Sequence, residues 1–411
     1  MAYNAGNSSS IRREAGACDT QGRLIKALSA LWLRHSQAEI SVRMIAREAD
    51  ASVSAIDYHF GSLEQLFVHA QHAALMEASA WMNGVFEELR VLPLDTFPMA
   101  ARASLLASLI EQWTCDQRSL ALAWREAHAA VAANPALCEP HRQWTTLWRN
   151  LWSRLCREVG FFPNEELLAL FFDGEASQHL IRWHRLLDRA LLDETVAALF
   201  HFVEPSSAPS SVIRVQYQDL AERQYREAFG AREEFTAIDA AAAAILAEEG
   251  LASLTFRSVA RRADSTLGAV SYHFGSKSKM LRLALQGVYE GSSTAPTLTL
   301  IDAMPSDPEA ATEAVIESVI GGHEPLLRAL DEVILNLSRD EGDRALCGVI
   351  RGFRDPVGGA LLAKFLGENE LTSPSLVAVF SSVVRGFGHW GTGLAEEDAR
   401  DLARTALRIF R

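Results

Sequence analysis

A Tyr-His-Phe-Gly-Ser run occurs twice in this chain, at Tyr58–Ser62 and at Tyr272–Ser276. Phenol and imidazole groups donate hydrogen bonds, and exposed donors of this kind contact the phosphate oxygens of nucleic acids. Two small residues, at 54–55 and at 268–269, precede each run. Small side chains let a helix approach base edges in a DNA major groove. The pattern predicts two sites that contact double-stranded DNA.

Both runs belong to a longer internal repeat. Residues 41–62 align without a gap onto residues 255–276, and eleven of the 22 positions are identical. The offset between the two copies is 214 residues. Chance does not account for a match of this length and quality. The repeat therefore predicts that the chain is a tandem duplication.

Each copy has the pattern of two short helices. In the first copy the apolar residues begin at Val42 and recur at i+3, i+4 and i+7, which is helical spacing. Ser41 and Thr255 are the predicted N-caps of these helices. Gly61 and Gly275 are predicted to end the second helix of each copy, because glycine accepts a left-handed conformation without strain.

The second helix of each copy is predicted to begin after a Ser52 or Thr266 cap, with Val53 and Leu267 on its inner face. Residues 62–65 have the capping-box pattern and predict the start of a third, longer helix. Two short helices joined by a tight turn ahead of a longer one form a helix-turn-helix unit. The alternative is a pair of helical hairpins with no role in DNA binding.

Both copies resemble the DNA-binding domain of TetR-family transcriptional regulators. The resemblance rests on the capped helix, the small recognition helix, the Tyr-His-Phe run and, in the second copy, the Ser276-Lys277 pair. The first copy departs from this pattern, with Leu63 in place of the lysine and Asp57 on the predicted DNA side. Phosphates repel a carboxylate unless it accepts a hydrogen bond from cytosine N4. The first unit is therefore expected to bind more weakly, or to recognise a different half-site.

The predicted DNA-contacting residues are the helix caps, the polar and small residues of the second helix, and nearby cations. In the first copy they are Ser41, Arg43, Ser52, Ser54, Ala55, Tyr58 and His59. In the second copy they are Thr255, Arg257, Thr266, Gly268, Ala269, Tyr272, His273 and Lys277.

The formal net charge of −13 argues against nucleic-acid binding when the chain is taken as a whole. Residues 11–66, however, hold seven basic and seven acidic side chains, and residues 232–282 hold seven basic and six acidic ones. The acidity thus lies mostly outside the two predicted DNA-binding units. The charge still leaves open an alternative function, a protein-interaction module in which one or both helix-turn-helix units are vestigial.

The fold is predicted to be all-α, because no stretch shows the alternation of a strand. A Pro/Ser-rich segment near residue 204 is the best candidate for a linker. The predicted organisation is a disordered N-terminal arm (1–18), a first helix-turn-helix domain (19–66), a first helical ligand-binding and dimerisation domain (67–203), the linker (204–213), a lead-in helix with the second helix-turn-helix domain (214–282), and a second helical domain (283–411).

The resemblance implies how these parts assemble. Family members are homodimers whose last two helices form a four-helix interface, and two recognition helices then meet two half-sites. Because one chain already carries two units, the sequence predicts an intramolecular pseudo-dimer, with residues 165–200 and 375–410 supplying the interface. A covalent linker raises the effective concentration of the second unit on DNA. Further homodimerisation remains an open alternative.

Tryptophan is concentrated in the first helical domain, which holds seven of the nine. The resemblance implies a transcriptional repressor, and the tryptophan content predicts a pocket for a hydrophobic or aromatic small-molecule effector that releases it from operator DNA. Core packing, or an interface between the halves, is the alternative for any one of these rings. A ligand-independent regulator is the alternative function. The predicted pocket residues are Trp81, Trp113, Trp124, His128, Trp148, Glu175 and Trp183.

Other classes of protein are not favoured. No apolar stretch is long enough to span a membrane, and the N-terminus has no apolar signal region. Five cysteines without a C-x-x-C pair predict neither a metal site nor a disulfide framework, which is typical of a cytoplasmic protein. No phosphate loop, H-E-x-x-H or G-x-S-x-G motif is present, so no enzymatic activity and no cofactor are expected.

Overall fold

The structure is a computed structural model that describes residues 20–131, 134–203, 209–229, 236–292, 305, 307–321, 324–339, 344–352, 362, 373–391 and 394–408. These residues are helical or form turns, with no strand among them, which confirms the predicted all-α class. The predicted N-terminal arm lies outside the described residues, as do residues 204–208 of the predicted linker. Among the described helices, none combines the length and the apolarity that a membrane crossing requires.

Nine helices are described before the linker. They are α1 (residues 20–32), α2 (Val42–Glu48), α3 (Ser54–Phe60), α4 (Leu63–Leu89), α5 (Met99–Glu111), α6 (Arg118–Ala130), α7 (Cys138–Arg157), α8 (Glu165–His179) and α9 (Arg185–His201).

Ten helices are described after it. They are α10 (Val212–Phe229), α11 (Ala237–Glu249), α12 (Phe256–Arg262), α13 (Leu267–Phe274), α14 (Lys277–Ser292), α15 (Pro308–Gly321), α16 (Glu324–Arg339), α17 (Arg344–Gly352), α18 (Pro374–Gly391) and α19 (Glu396–Leu407). Helix α10 is the lead-in helix that the sequence predicts.

The chain divides into two compact units. Unit 1 comprises Met1–Glu88 and Gln117–Leu151, and unit 2 comprises Leu89–Asp116 and Trp152–Arg411. This division does not fall at the linker, because helices α8 and α9 of the first half pack with helices of the second half inside unit 2.

Unit 1 buries apolar side chains of α1–α3 together with the rings of α6 and α7. Buried Gln71 connects its helices, since its side-chain amide donates to the Ala123 carbonyl at 2.9 Å and accepts from Trp144 Nε1 at 2.9 Å. A buried amide with both groups satisfied stabilises one packing arrangement of the helices that it joins. Helix α6 is therefore fixed to α4 and α7 within this unit.

Unit 2 contains one continuous apolar core that includes the second helix-turn-helix motif. Its members come from α9 and α10, from α11–α14, and from α16 and α17. Helix α11 packs against α12, α14 and α16. The second motif is therefore not an appended module, because its core is continuous with that of the helical domain.

Helices α8 and α18 cross at two glycines. A Cβ on Gly174 would lie 1.9 Å from the Ser382 carbonyl oxygen, and a Cβ on Gly386 would lie 2.0 Å from that of Leu170. The two contacts exchange equivalent residues at an offset of 212, since residue 170 corresponds to 382 and residue 174 corresponds to 386. The crossing is therefore reciprocal, and it brings the two backbones closer than any side chain would permit.

The flanking helices also make reciprocal contacts. Asn164, the N-cap of α8, donates to the Thr405 carbonyl of α19 at 3.2 Å. Ser375, near the start of α18, donates to Glu194 of α9 at 3.1 Å. The segments predicted to meet, residues 165–200 and 375–410, do pack together within unit 2 over their described parts.

Buried polar contacts that involve aspartates add to this packing. His389 of α18 places Nδ1 2.6 Å from Asp173 of α8 and Nε2 2.8 Å from Asp331 of α16. Arg351 of α17 lies 3.2 Å from Asp188 of α9. Because removing one partner leaves a buried charge uncompensated, these contacts strongly favour the observed pairing of the helices.

The four described cysteines are free thiols. Cys115 and Cys138 are exposed, whereas Cys347 is buried. Burial, with a smaller contribution from Glu165, raises the pKa of the Cys156 thiol to about 12.

Since the thiolate is the nucleophile, maleimide at neutral pH should modify Cys115 and Cys138 rapidly and Cys156 and Cys347 slowly. Peptide mass spectrometry over a time course would measure this order, and rapid modification of Cys156 would contradict it.

Candidate nucleic-acid interface

The first motif has the backbone geometry of a helix-turn-helix. Ser41 caps α2 by accepting from the Met44 N–H at 3.4 Å, as predicted. The turn after α2 contains Asp50 with φ +48°, and the Ala51 N–H donates to the Ala46 carbonyl at 2.9 Å. Aspartate is among the few residues other than glycine that adopt this left-handed region. Helix α3 then ends at Gly61, whose φ is +78°.

The second motif repeats this geometry. Thr255 caps α12 by accepting from the Ser258 N–H at 3.1 Å. Asp264 has the same φ of +48°, and the Ser265 N–H donates to the Ala260 carbonyl at 2.9 Å. Gly275 ends α13 with φ +67°. The turn that sets the angle between the two helices is thus the same at equivalent positions of the two copies.

One tyrosine is exposed on the second helix of each motif. Tyr58 is 81% exposed and Tyr272 is 92% exposed. The side chains on the opposite side, Ile56 and Phe60 in α3, are buried. A fully exposed phenol presents its hydroxyl to whatever binds this face, which is the geometry that a phosphate contact requires.

Val53 and Leu267 also lie on this outer surface, and their predicted inward position is wrong. Val53 is 45% exposed and Leu267 is 46% exposed, at equivalent positions of the repeat. Both stand at the start of their helices, before the first residue that packs inward. Helical spacing places both residues on the apolar stripe, three residues before Ile56 and Val270. Periodicity does not show how far along a helix the core extends, and these first positions lie beyond it. Exposed aliphatic groups there can contact the methyl group of thymine.

The second helices of the two motifs, α3 and α13, are capped differently. Thr266 accepts from the Ala269 N–H at 3.1 Å, as predicted. The predicted Ser52 cap is wrong, because the N-cap of α3 is Val53 in a helical conformation, and Ser52 Oγ instead lies 3.0 Å from Ser54 Oγ. The start of the third helix agrees with prediction, since Ser62 accepts from the Gln65 N–H at 3.1 Å.

The histidines of the two copies have different surroundings. His273 Nε2 lies 2.8 Å from Asp239 Oδ1, so this nitrogen is directed towards α11 and not towards solvent. The first copy has Ile25 at the position equivalent to Asp239, and half-buried His59 lies edge-on to the Tyr58 ring at 4.9 Å. Both histidines are predicted to contact phosphate, but Nε2 of His273 already lies against Asp239 inside the protein.

Cations surround the second motif. Arg257, Arg261 and Lys277 are exposed, and Lys279 Nζ donates to the His273 carbonyl at 3.2 Å. In the first motif the position of Lys277 is taken by half-buried Leu63. Arg261 is equivalent to Arg47 of the first motif, so both copies are basic at this position, whereas Lys279 stands where the first copy has Gln65. Neither Arg261 nor Lys279 is among the predicted DNA-contacting residues. The second motif therefore presents more positive charge to an anionic partner.

Arg43 and Arg47 supply the exposed positive charge of the first motif. Arg23 of α1 donates to the Ala49 and Asp50 carbonyls at 3.0 and 3.1 Å, which fixes the turn. Arg23 could not be predicted from the repeat, because the second copy has Ala237 at that position. The remaining predicted residues, Ser54, Ala55, Gly268 and Ala269, are exposed or half-buried on the outer faces of α3 and α13.

An ion pair with reversed charges joins the end of the helix before each motif, α1 or α11, to the first helix of that motif, α2 or α12. In the first copy Arg34 lies 2.7 Å from Glu48, and in the second copy Arg262 lies 2.6 Å from Glu248. Residues 34 and 248 are equivalent in the repeat, as are residues 48 and 262. The contact is thus common to both copies although its charges are exchanged.

The predicted effector-binding residues divide between the two units. Unit 1 contains Trp81, Trp124, His128 and Trp148. Trp124 stacks on His141 with ring centroids 5.0 Å apart, and Trp81 meets Trp148 edge-on at 6.4 Å. Trp124, His128 and Trp148 are buried, so unit 1 has an aromatic cluster built from α4, α6 and α7.

Unit 2 contains the other three predicted pocket residues, and two of them have clear packing roles. Glu175 accepts from Ser382 of α18 at 2.7 Å. Trp183 packs edge-on against Tyr217 at 4.6 Å, and a Cβ on Gly348 would lie 2.7 Å from its ring. Buried Trp113 belongs to the π-helical turn Gln112–Asp116 after α5.

Comparison with known families agrees with the geometry of the second motif. Residues 238–284 match the model of the family described as bacterial regulatory proteins, tetR family. The matched segment runs from α11 into α14 and so contains the whole second helix-turn-helix. No curated protein matches the chain at a significant level. The family match supports a TetR-family, DNA-binding transcriptional regulator.

Proposed function

We propose that this chain, which carries a TetR-type DNA-binding domain at residues 238–284, is a transcriptional repressor that binds operator DNA through both helix-turn-helix motifs. One observation carries the proposal. At equivalent positions of both copies, the same left-handed aspartate turn precedes a short helix that exposes a tyrosine. A hydroxyl donor held this way on a recognition helix suits contact with a phosphate beside the major groove.

The reversed ion pair supports a functional first motif. The exchange of both charges kept the contact between the preceding helix and the first helix of the motif, whereas exchange of one charge would have placed like charges together. Surface pairs of this kind contribute little stability, about 0–1 kcal/mol. Their joint replacement is therefore better explained by an arrangement of helices that both copies still use.

The pseudo-dimer is the second part of the proposal. The reciprocal crossing at Gly174 and Gly386, with α9 and α19 on its flanks, supports an interface in which each half contributes two helices. The repressor would then carry two unequal recognition surfaces on one chain. An operator with two different half-sites fits this inequality, because the two surfaces differ at Asp57 and Ser271.

Release by a hydrophobic or aromatic effector is the third part. The buried rings of Trp124, Trp144 and His141 in unit 1, with Gln71 among them, support an apolar ligand that has few polar groups. Such a ligand must bind the non-DNA-binding state more tightly in order to shift the population. Aromatic compounds would be screened by tryptophan fluorescence and scored for DNA release. Failure of every bound compound to release DNA would favour a ligand-independent regulator.

A gel shift with a duplex that the wild-type chain selects from a randomised pool (the selected duplex) tests DNA binding. We expect the dissociation constant to rise steeply with salt, since phosphate contacts release counterions. Absence of any selected duplex at low salt, with correctly folded protein, would refute the DNA-binding proposal and favour a protein-interaction module.

The two tyrosines should contribute unequally. Loss of one phosphate hydrogen bond costs about 1 kcal/mol, or roughly a fivefold change in dissociation constant. We expect Tyr272→Ala to produce a loss of this size and Tyr58→Ala a smaller one, because Asp57 already weakens the first surface. Tyr272→Phe isolates the hydroxyl and should reproduce most of the loss. Equal losses from the two alanine variants, measured by gel shift, would contradict the inequality.

A further inference from the structure

A glutamate from the helical domain contacts the same backbone position in each motif. In unit 1 the Gln37 N–H donates to Glu126 Oε2 at 2.7 Å, and in unit 2 the Leu251 N–H donates to Glu332 Oε2 at 2.7 Å. Gln37 and Leu251 are equivalent at the 214-residue offset of the repeat. The two glutamates lie outside the repeated segment, at a spacing of 206 residues, so gapless alignment does not pair them.

Both contacted amides lie at a connection that leads into the recognition helices. Gln37 begins the 3₁₀ turn Gln37–Glu39 between α1 and α2, and Leu251 begins the turn Leu251–Ser253 between α11 and α12. Helices α2 and α12 follow within a few residues. A shift of this connection therefore moves the cap of the first motif helix, and with it the recognition helix behind the turn.

The two glutamates lie on helices, α6 and α16, that other side-chain contacts hold in place. Glu126 is 3% exposed on α6, which Gln71 holds through the Ala123 carbonyl. Glu332 lies on α16 directly after Asp331, which contacts Arg385 and His389 of α18 at 2.8 Å each. Each carboxylate thus connects a motif to the anchored interior of its own unit.

The contacts have the length of strong hydrogen bonds. A carboxylate that accepts from a backbone N–H forms a charge-assisted bond, which is about twice as strong as a neutral one. In unit 2 a Cβ at position 250 would lie 3.0 Å from Glu332 Oε2. Gly250, with φ +84°, therefore gives the carboxylate room to approach the turn.

We infer that Glu126 and Glu332 are positioning residues for DNA binding, each of which fixes the orientation of its recognition helix through the turn before the motif. This inference rests on the proposed function. The glutamates themselves touch no DNA. Their removal should lower affinity by freeing the motif, while the number of phosphate contacts in the bound state stays the same.

The experiment compares alanine and glutamine variants at both positions in the full-length chain. Hydrogen–deuterium exchange of the Gln37 and Leu251 amides measures the contact itself. Binding to the selected duplex, across a salt series, measures its consequence. We expect Glu332→Ala to accelerate exchange at Leu251 and to raise the dissociation constant about tenfold, which corresponds to about 1.4 kcal/mol. The slope of affinity against salt should not change, because no phosphate contact is lost.

The glutamine variants remove the negative charge but keep a hydrogen-bond acceptor at the same position. Its side-chain oxygen still accepts a hydrogen bond, so Glu332→Gln and Glu126→Gln should recover most of the affinity and the slow exchange. Thermal melts establish whether each variant is folded. If an alanine variant does not fold, the glutamine variant at the same position still tests the inference. Exposed Glu77 of α4 and Glu397 of α19 supply matched alanine controls, which should leave exchange at both amides unchanged.

The outcomes separate the inference from the proposed function. Faster exchange with unchanged affinity would show that the carboxylates only stabilise the fold, and would overturn the inference. Unchanged exchange in Glu126→Ala and Glu332→Ala would overturn it as well. Absence of any duplex selected by the wild-type chain would instead refute the proposed function, and a positioning role for DNA binding would fall with it.

Discussion

Gly386→Ala should destabilise unit 2 by roughly 3 kcal/mol, the upper end of the usual cost of overpacking. The added Cβ would lie 2.0 Å from the Leu170 carbonyl oxygen. A backbone atom cannot rotate away as a side chain does, so helices α8 and α18 would have to separate along their crossing. Denaturant unfolding followed by circular dichroism would measure the loss.

The same helix supplies the control for this substitution. A Cβ on Gly391, the last residue of α18, would meet the Phe387 ring at 3.8 Å, which is ordinary contact. Gly391→Ala should therefore change the free energy of unfolding by less than about 1 kcal/mol. Gly174→Ala, which meets the Ser382 carbonyl oxygen at 1.9 Å, should match the loss at Gly386. A Gly386→Ala protein as stable as Gly391→Ala would disprove the close crossing.

Leu267→Asp should reduce affinity for the selected duplex by about two orders of magnitude, given roughly 1–3 kcal/mol for each base contact and added repulsion from phosphates. Leu267 is the first residue of α13, the proposed recognition helix, and is 46% exposed. An acidic residue in the first turn of a helix is favourable for folding, by about 0.3–1 kcal/mol. The substitution thus separates DNA binding from stability.

Two further aspartates make this prediction specific. Val53→Asp changes the equivalent residue of the first motif and should produce a smaller loss, because Asp57 already places a carboxylate on that surface. Leu186→Asp changes a leucine of α9 that is 82% exposed and outside both motifs, and should leave affinity intact. Gel shifts with thermal melts of the same samples would test all three. Wild-type affinity of a folded Leu267→Asp protein would exclude α13 as a recognition helix.

The two motifs could be predicted from the sequence because their determinants are local. The aspartate of the turn, the glycine after the second helix and the Tyr-His-Phe run each act within a few residues, and each recurs at the same offset. Errors occurred at the helix starts, where Val53 replaced Ser52 as N-cap and both Val53 and Leu267 lay outward. Periodicity indicates which side of a helix faces the core, but not how far along the helix the core extends.

Contacts between distant segments could not be predicted. The crossing at Gly174 and Gly386 has a spacing of 212 residues, and Glu126 and Glu332 have a spacing of 206, so neither pair aligns at the offset of the motifs. The arrangement of the predicted effector-pocket residues could not be predicted for the same reason. Tryptophan content indicated aromatic packing, but composition carries no information on which helices meet, and the rings are divided between two units.

The reversed ion pair bears on how a chain that carries two similar motifs avoids pairing the wrong helices. Two similar motifs on one polypeptide can exchange the helices that precede them, α1 and α11, during folding. Misassembly of this kind is a characteristic failure of repeat proteins. Here an exchanged pairing would bring Arg34 against Arg262 and Glu248 against Glu48, so both wrong partners repel while both correct ones attract. The charges therefore favour the pairing of α1 with α2 and of α11 with α12. A chimera in which α1 and α11 are exchanged would need both ion pairs changed.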